Sequence, residues 1–67
     1  MSRIVFFKDK TFKVIEEYKN GITQYVIHLY SNKLWYPYRD INNTVVVFYD
    51  VDFAKTHALN MDKQNNE

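Results

Sequence analysis

Hydrophobic and polar positions alternate on either side of Asn20-Gly21, and the runs flanking that pair are rich in β-branched and aromatic residues. Asn-Gly is the preferred pair for a two-residue type I′ turn, because both positions need positive φ and the twist of the turn matches that of the strands. A β-hairpin follows. Counting outward from the turn pairs Lys19 with Ile22, Tyr18 with Thr23, Glu16 with Tyr25, Val14 with Ile27 and Phe12 with Leu29. One face then collects Phe12, Val14, Tyr25, Ile27 and Leu29. The other takes Glu17 with Gln24, Ile15 with Val26, Lys13 with His28, and Tyr30, and is polar apart from a strip at Ile15 and Val26. A one-residue slip would turn the first set outward, so the pattern itself fixes the register.

The same reading places the remaining elements. Ile4, Val5, Phe6 and Phe7 predict a first strand, broken by Asp9-Lys10. After a tight turn at Ser31-Asn32, residues 33–39 read as a short strand with Leu34, Tyr36 and Tyr38 on one side and Trp35 and Arg39 on the other. Pro37 cannot donate to a ladder, which puts this segment at a sheet edge. Residues 40–43 read as a loop. Thr44, Val45, Val46, Val47, Phe48 and Tyr49 form an apolar run of strand length, expected to be buried on both faces or to await a partner. Asp50 offers an N-cap, Asp52 adds negative charge to a first turn, and Val51, Ala54, Ala58 and Met61 recur at helical spacing. A helix over about residues 51–60 is predicted. An isolated helix of about ten residues is marginal in water, so it must dock on the sheet. Residues 62–67 carry nothing to bury and are expected to form a disordered tail after a single domain of residues 1–61. The fold class is therefore α+β: an antiparallel three- to four-stranded sheet with one short C-terminal helix.

Composition narrows the function. Sixty-seven residues allow one domain. The chain has no cysteine, which removes disulfides, thiol nucleophiles and cysteine-ligated zinc and points to the cytoplasm. The apolar run near the N-terminus is only four residues long, whereas an export signal needs roughly 7–15 and a membrane span about 18 or more. No membrane association is expected. Nine basic and eight acidic side chains give a net charge of +1, which is not the strong field of an avid nucleic-acid binder. The seven asparagines, with many Lys, Ile, Tyr and Phe, suit an AT-rich coding sequence.

Candidate chemistry is sparse. His28 lies mid-strand and His57 on the helix flank, with no partner at a metal-like spacing. Glu16 and Glu17 are adjacent on a strand and point to opposite faces, so they cannot share a proton. Glu16 falls on the apolar face, where it is expected near the open turn end beside Tyr18. Asp50 and Asp52 are accounted for by helix capping. Ser2, Ser31, Thr11, Thr23, Thr44 and Thr56 lack a nucleophile context. The single glycine belongs to the hairpin, so a Gly-rich phosphate loop is excluded. Neither enzyme activity, nor a metal, nor a cofactor is expected.

The conspicuous feature is Lys33-Leu34-Trp35-Tyr36-Pro37-Tyr38-Arg39, in a chain that is 18% aromatic. Trp35, Tyr36 and Tyr38, bracketed by Lys33 and Arg39, are residue types that dominate binding hot spots. The same types stack on unpaired bases, with Lys33, Lys13 and His28 available for phosphates. Three readings stay open: core filling, a protein interface including self-association, and nucleic-acid or nucleotide binding. Ile15, Val26 and Tyr30 on the outer hairpin face, with Val45 and Val47, support a homodimer that would compensate for a small core.

The layout of an Asn-Gly hairpin, a strand ending Trp-Tyr-Pro-Tyr-Arg-Asp and a helix opening Val51-Asp52-Phe53-Ala54-Lys55 resembles small proteins encoded by phages, prophages and plasmids. Their helix commonly opens Val-Glu-Glu-Ala-Lys, and Phe53 replaces an acidic residue of that pattern. More faintly, the layout resembles the sheet-plus-helix DNA-binding arms of tyrosine integrases. The first resemblance implies a small host-interaction or counter-defence protein acting by protein–protein contact, and the second a nucleic-acid binder. A structural subunit of a larger assembly is the third alternative.

Overall fold

The computed structural model describes residues 2–65, and the side chain of residue 65 is outside that description. Four strands, β1 (Ser2–Lys8), β2 (Phe12–Lys19), β3 (Ile22–Ser31) and β4 (Leu34–Pro37), form an antiparallel sheet in the order β1-β2-β3-β4. One helix, α1 (Val51–Asn65), follows and packs across one face, chiefly against β2 and β3.

The hairpin forms in the expected register, with all eight pairs from Phe12–Leu29 to Lys19–Ile22 in place. Asn20 and Gly21 take φ of 51° and 79°, the left-handed pair that a type I′ turn requires. A Cβ built on Gly21 would meet nothing within 4 Å, so the demand there is conformational and not steric. A second two-residue turn joins β3 to β4: Asn32 and Lys33 have φ of 52° and 67°, between the paired residues Ser31 and Leu34.

β1 pairs with β2 and carries a bulge, the register shifting between Ile4 and Phe6 with Val5 as the extra residue. β4 is shorter than the expected 33–39 and stops at Pro37. Tyr38 N–H donates to Ile27 O at 2.8 Å, and the alternation of ladder bonds then turns the nitrogen of Pro37 outward, where its missing hydrogen costs nothing.

Two expectations are corrected. Residues 44–49 do not form a regular strand. They bridge two neighbours in turn, Val45 with Arg39 and Phe48 with Tyr25. Val46 N–H donates to Tyr38 O at 3.0 Å, while Phe48 and Tyr25 exchange both backbone bonds at 2.7 and 2.9 Å. Because the partner changes within three residues, no continuous ladder develops. The helix also runs past residue 60, so residues 62–65 of the expected tail are helical. Met61 packs against the core cluster, and Asp62 accepts from the Lys8 ammonium, so the last turns have a surface to hold on to. Residues 66 and 67 lie outside the described residues.

The core sits between α1 and the sheet: Phe12, Val14, Ile27, Phe48, Ala54 and Ala58, joined by Val5, Phe6, Tyr25, Leu29, Tyr38, Val46 and Met61. Ala54 and Ala58 are fully buried, and two alanines in contact positions let the helix axis come close to the sheet. Asp50 caps the helix, Oδ1 accepting from the amides of Asp52 and Phe53 at 2.8 and 3.1 Å, which is worth about 1 kcal/mol. No helix among the described residues is long and apolar enough to cross a membrane.

Candidate functional site

The carboxylates that sequence made candidates for chemistry are engaged in holding the fold. Glu16 accepts from Arg3 Nε at 2.8 Å and from the Tyr25 hydroxyl at 3.2 Å. The Arg3 hydrogen bond holds its carboxyl below the usual glutamate value, and burial with the Glu16 contact raises the Tyr25 phenol above its own. Glu17 accepts from Gln24 at 3.0 Å. Asp40 Oδ1 accepts from the amides of Asn42 and Thr44, closing the loop between the two bridges. Among the described residues no three His, Cys, Asp or Glu gather as a metal site. A cleft of about 620 Å³ opens between the last turns of α1 and the end of the sheet, lined by Lys8, Lys10, Thr11, Ser31 and Asp62 among others. Lys8 and Asp62, which both line it, form an ion pair.

The five residues expected to bind a partner do not share one surface. Alternation along β4 sends Trp35 to the face away from the helix and Tyr36 and Tyr38 to the helix side. Tyr38 packs on the core, while Tyr36 remains 46% exposed. Lys33 stands exposed in its turn, and Arg39 Nη1 donates to Asn43 O at 2.9 Å.

The helix-free, open face collects the other set. Register puts Ile15, Val26 and Tyr30 there with Trp35. The bridges Arg39–Val45 and Tyr25–Phe48 add Val45 and Val47, which flank the inward-facing Val46. Ile4 pairs with Ile15 on the same face. An apolar row therefore crosses the sheet as Ile4, Ile15, Val26 and Val47. Val26 is already 4% exposed within one chain, whereas Ile4 is 53% exposed. Beside this row the aromatic rings form their own group. Trp35 meets Tyr30 edge-on at 5.0 Å and Phe7 of β1 at 6.0 Å, with Lys13 Nζ 4.5 Å from the ring centre. His28, between Lys13 and Pro37 in the register, has its pKa lowered by burial and by Lys13.

On the helix side a second string of rings runs Tyr38, His57, Phe48, Phe53, with successive centroids 5.5, 5.3 and 5.8 Å apart. His57 Nε2 is buried in it without a hydrogen-bond partner. The string ends in the open at Phe53, which is 64% exposed; Tyr49, next to Phe48 in the chain, is 70% exposed. Phe53 stood out in the sequence only as a replacement for an acidic residue of the helix-opening pattern and was not connected to Tyr38. Phe7 was missed as a neighbour of Trp35, because the contact spans the full width of the sheet and no local pattern announces it. No family model matches the chain, and neither a curated protein nor a solved structure matches it.

Proposed function

We propose that this is a small non-enzymatic binding protein acting by protein–protein contact, with the exposed helix-side aromatics as the surface for a foreign partner. The observation that carries the reading is Phe53, a large apolar side chain standing 64% exposed against the buried ring of Phe48 that fixes it. Rigid aromatic groups offer large contact area at small entropy cost, the usual composition of a hot spot. Tyr36 and Leu34 add exposed apolar side chains on the helix side of β4, toward the Leu29–Ser31 end of the sheet. The layout resemblance supports a host factor as the partner and a host-interaction or counter-defence role, and the cysteine-free chain suits a reducing cytoplasm. The open face belongs to the same reading as the surface for a homodimer.

Nucleic-acid binding ranks second for a specific reason. A base stacks on an aromatic face, and the face of Trp35 is already taken by the Lys13 ammonium. The test uses the wild type and the Tyr36→Ala and Phe53→Ala variants as baits, with folding checked by circular dichroism. A partner protein held by the wild type and lost by both variants is expected. Equal retention by all three would reject the surface. Retention of an oligonucleotide with affinity falling steeply as salt is raised would favour the nucleic-acid reading.

A further inference from the structure

The geometry points to a twofold dimer in which two open faces pack with the row Ile4, Ile15, Val26 and Val47 along the axis and Lys13 of each copy paired with Glu17 of the other. The inference rests on the self-association part of the reading above and adds the symmetry, the register and the residues that set it.

The open face is self-complementary about a twofold axis. A twofold axis lying along a row of the sheet stacks each residue of that row on its own copy. It also brings the residue two positions before the row against the residue two positions after it. On β2 the open-face sequence is Lys13, Ile15, Glu17, so the axis through Ile15 sets a cation against an anion, twice per dimer. On β3 the open-face sequence is Ile22, Gln24, Val26, His28, Tyr30. The axis through Val26 then sets His28 against Gln24, a donor–acceptor match, and Tyr30 against Ile22, an apolar match. The register pairs Ile15 with Val26, Lys13 with His28 and Glu17 with Gln24, so one axis satisfies both strands at once. Ile4 and Ile22, 53% and 55% exposed in the single chain, would be covered. A shift of the axis by one row would oppose Lys13, or Glu17, to its own copy, so the charges select a single register and not merely a sticky face.

Neither charge is withdrawn from such a role. Lys13 is half-buried over Trp35, and Glu17 is half-buried, accepting from Gln24 while keeping further lone-pair sites. An antiparallel arrangement of the two sheets also suits the aligned packing of β-sandwiches, whose facing sheets lie about 10 Å apart.

Sedimentation equilibrium on five samples tests the pairing: wild type, Lys13→Glu, Glu17→Lys, the equimolar mixture of those two variants, and the double exchange Lys13→Glu/Glu17→Lys. Circular dichroism establishes that each is folded. The wild type is expected to dimerise at micromolar concentration. Each single exchange sets like charges opposite each other twice and should weaken the dimer more than tenfold. In the mixture, glutamates at 13 and 17 of one chain meet lysines at 17 and 13 of the other, so a heterodimer should form at the wild-type level. The double exchange should restore the homodimer. A dimer indifferent to the single exchanges, or a mixture that stays monomeric while both variants are folded, would refute the pairing and leave the dimer standing. A wild-type monomer would refute both. The foreign-partner surface lies on the opposite side of the sheet and is tested by its own variants.

Discussion

Lys13 holds its ammonium 4.5 Å from the centre of the Trp35 ring, although the two residues stand on β2 and β4 with β3 between them. The contact ties an edge strand to a central one on the open face. Replacing Lys13 by Met keeps most of the aliphatic stem and removes the charge, and should cost about 0.5–1 kcal/mol of stability. Trp35 is the only tryptophan, so its fluorescence reads the site directly. The emission maximum is expected to shift in Lys13→Met and to stay put in Lys19→Met, at the exposed turn end of β2.

Ala58 is 1% exposed and sits between α1 and the sheet. A larger side chain there has no space to enter, and overpacking of this kind costs about 1–3 kcal/mol. Ala58→Leu should therefore lower the urea midpoint, while Thr56→Leu on the exposed side of the same helix should leave it nearly unchanged. Equal behaviour of the two variants would contradict the docking described for α1.

His28 supplies a pH dependence whose sign follows from its surroundings. Burial first, and Lys13 next, disfavour the imidazolium in the fold and hold the pKa below the usual histidine value. As pH falls below about 6.5, the unfolded chain takes up the proton that the folded chain resists, so stability present at neutral pH is lost on acidification. Glu16, whose carboxyl is held low by Arg3, contributes a separate loss at more acidic pH. Chemical denaturation should show the decline between about pH 7 and pH 5.5 flattened in His28→Gln, with the steeper loss nearer the carboxylate range retained.

Lys33 occupies the left-handed region at φ 67°, where an ordinary side chain costs roughly 1–2 kcal/mol. Glycine has no such penalty but loses more freedom on folding, by roughly 0.5–1 kcal/mol. Lys33→Gly is therefore expected to stabilise the protein by about 0.5–1 kcal/mol and to raise the midpoint of thermal unfolding by a few degrees. A lower midpoint would mean that the lysine side chain contributes contacts that outweigh its backbone.

The hairpin was legible to the residue because Asn20-Gly21 fixes the turn and alternation does the rest: all eight pairs follow from one dipeptide. The N-cap at Asp50 was legible for the same local reason. Residues 44–49 were not, since an apolar β-branched run states a preference for extended backbone and not which neighbour it pairs with, and here the neighbour changes from Tyr38 to Tyr25. The end of α1 was misjudged because its last turns are held from afar, by Lys8 on the first strand. The binding segment divided for a reason that was visible: Trp35 and Tyr36 are adjacent on a strand and must face opposite ways. What could not be read was the company each would keep, Phe7 for the one and the helix-side rings beyond Tyr38 for the other.

The bulge at Val5 has a consequence for both sides of the molecule. In an unbroken strand Arg3 and Phe7, four positions apart, would point the same way. Because one residue is inserted between them, Arg3 reaches Glu16 on the helix side while Phe7 reaches Trp35 on the open face. Removing Val5 would bring the two ends of β1 back into phase, and the strand would then have to surrender either its ion pair or its ring contact.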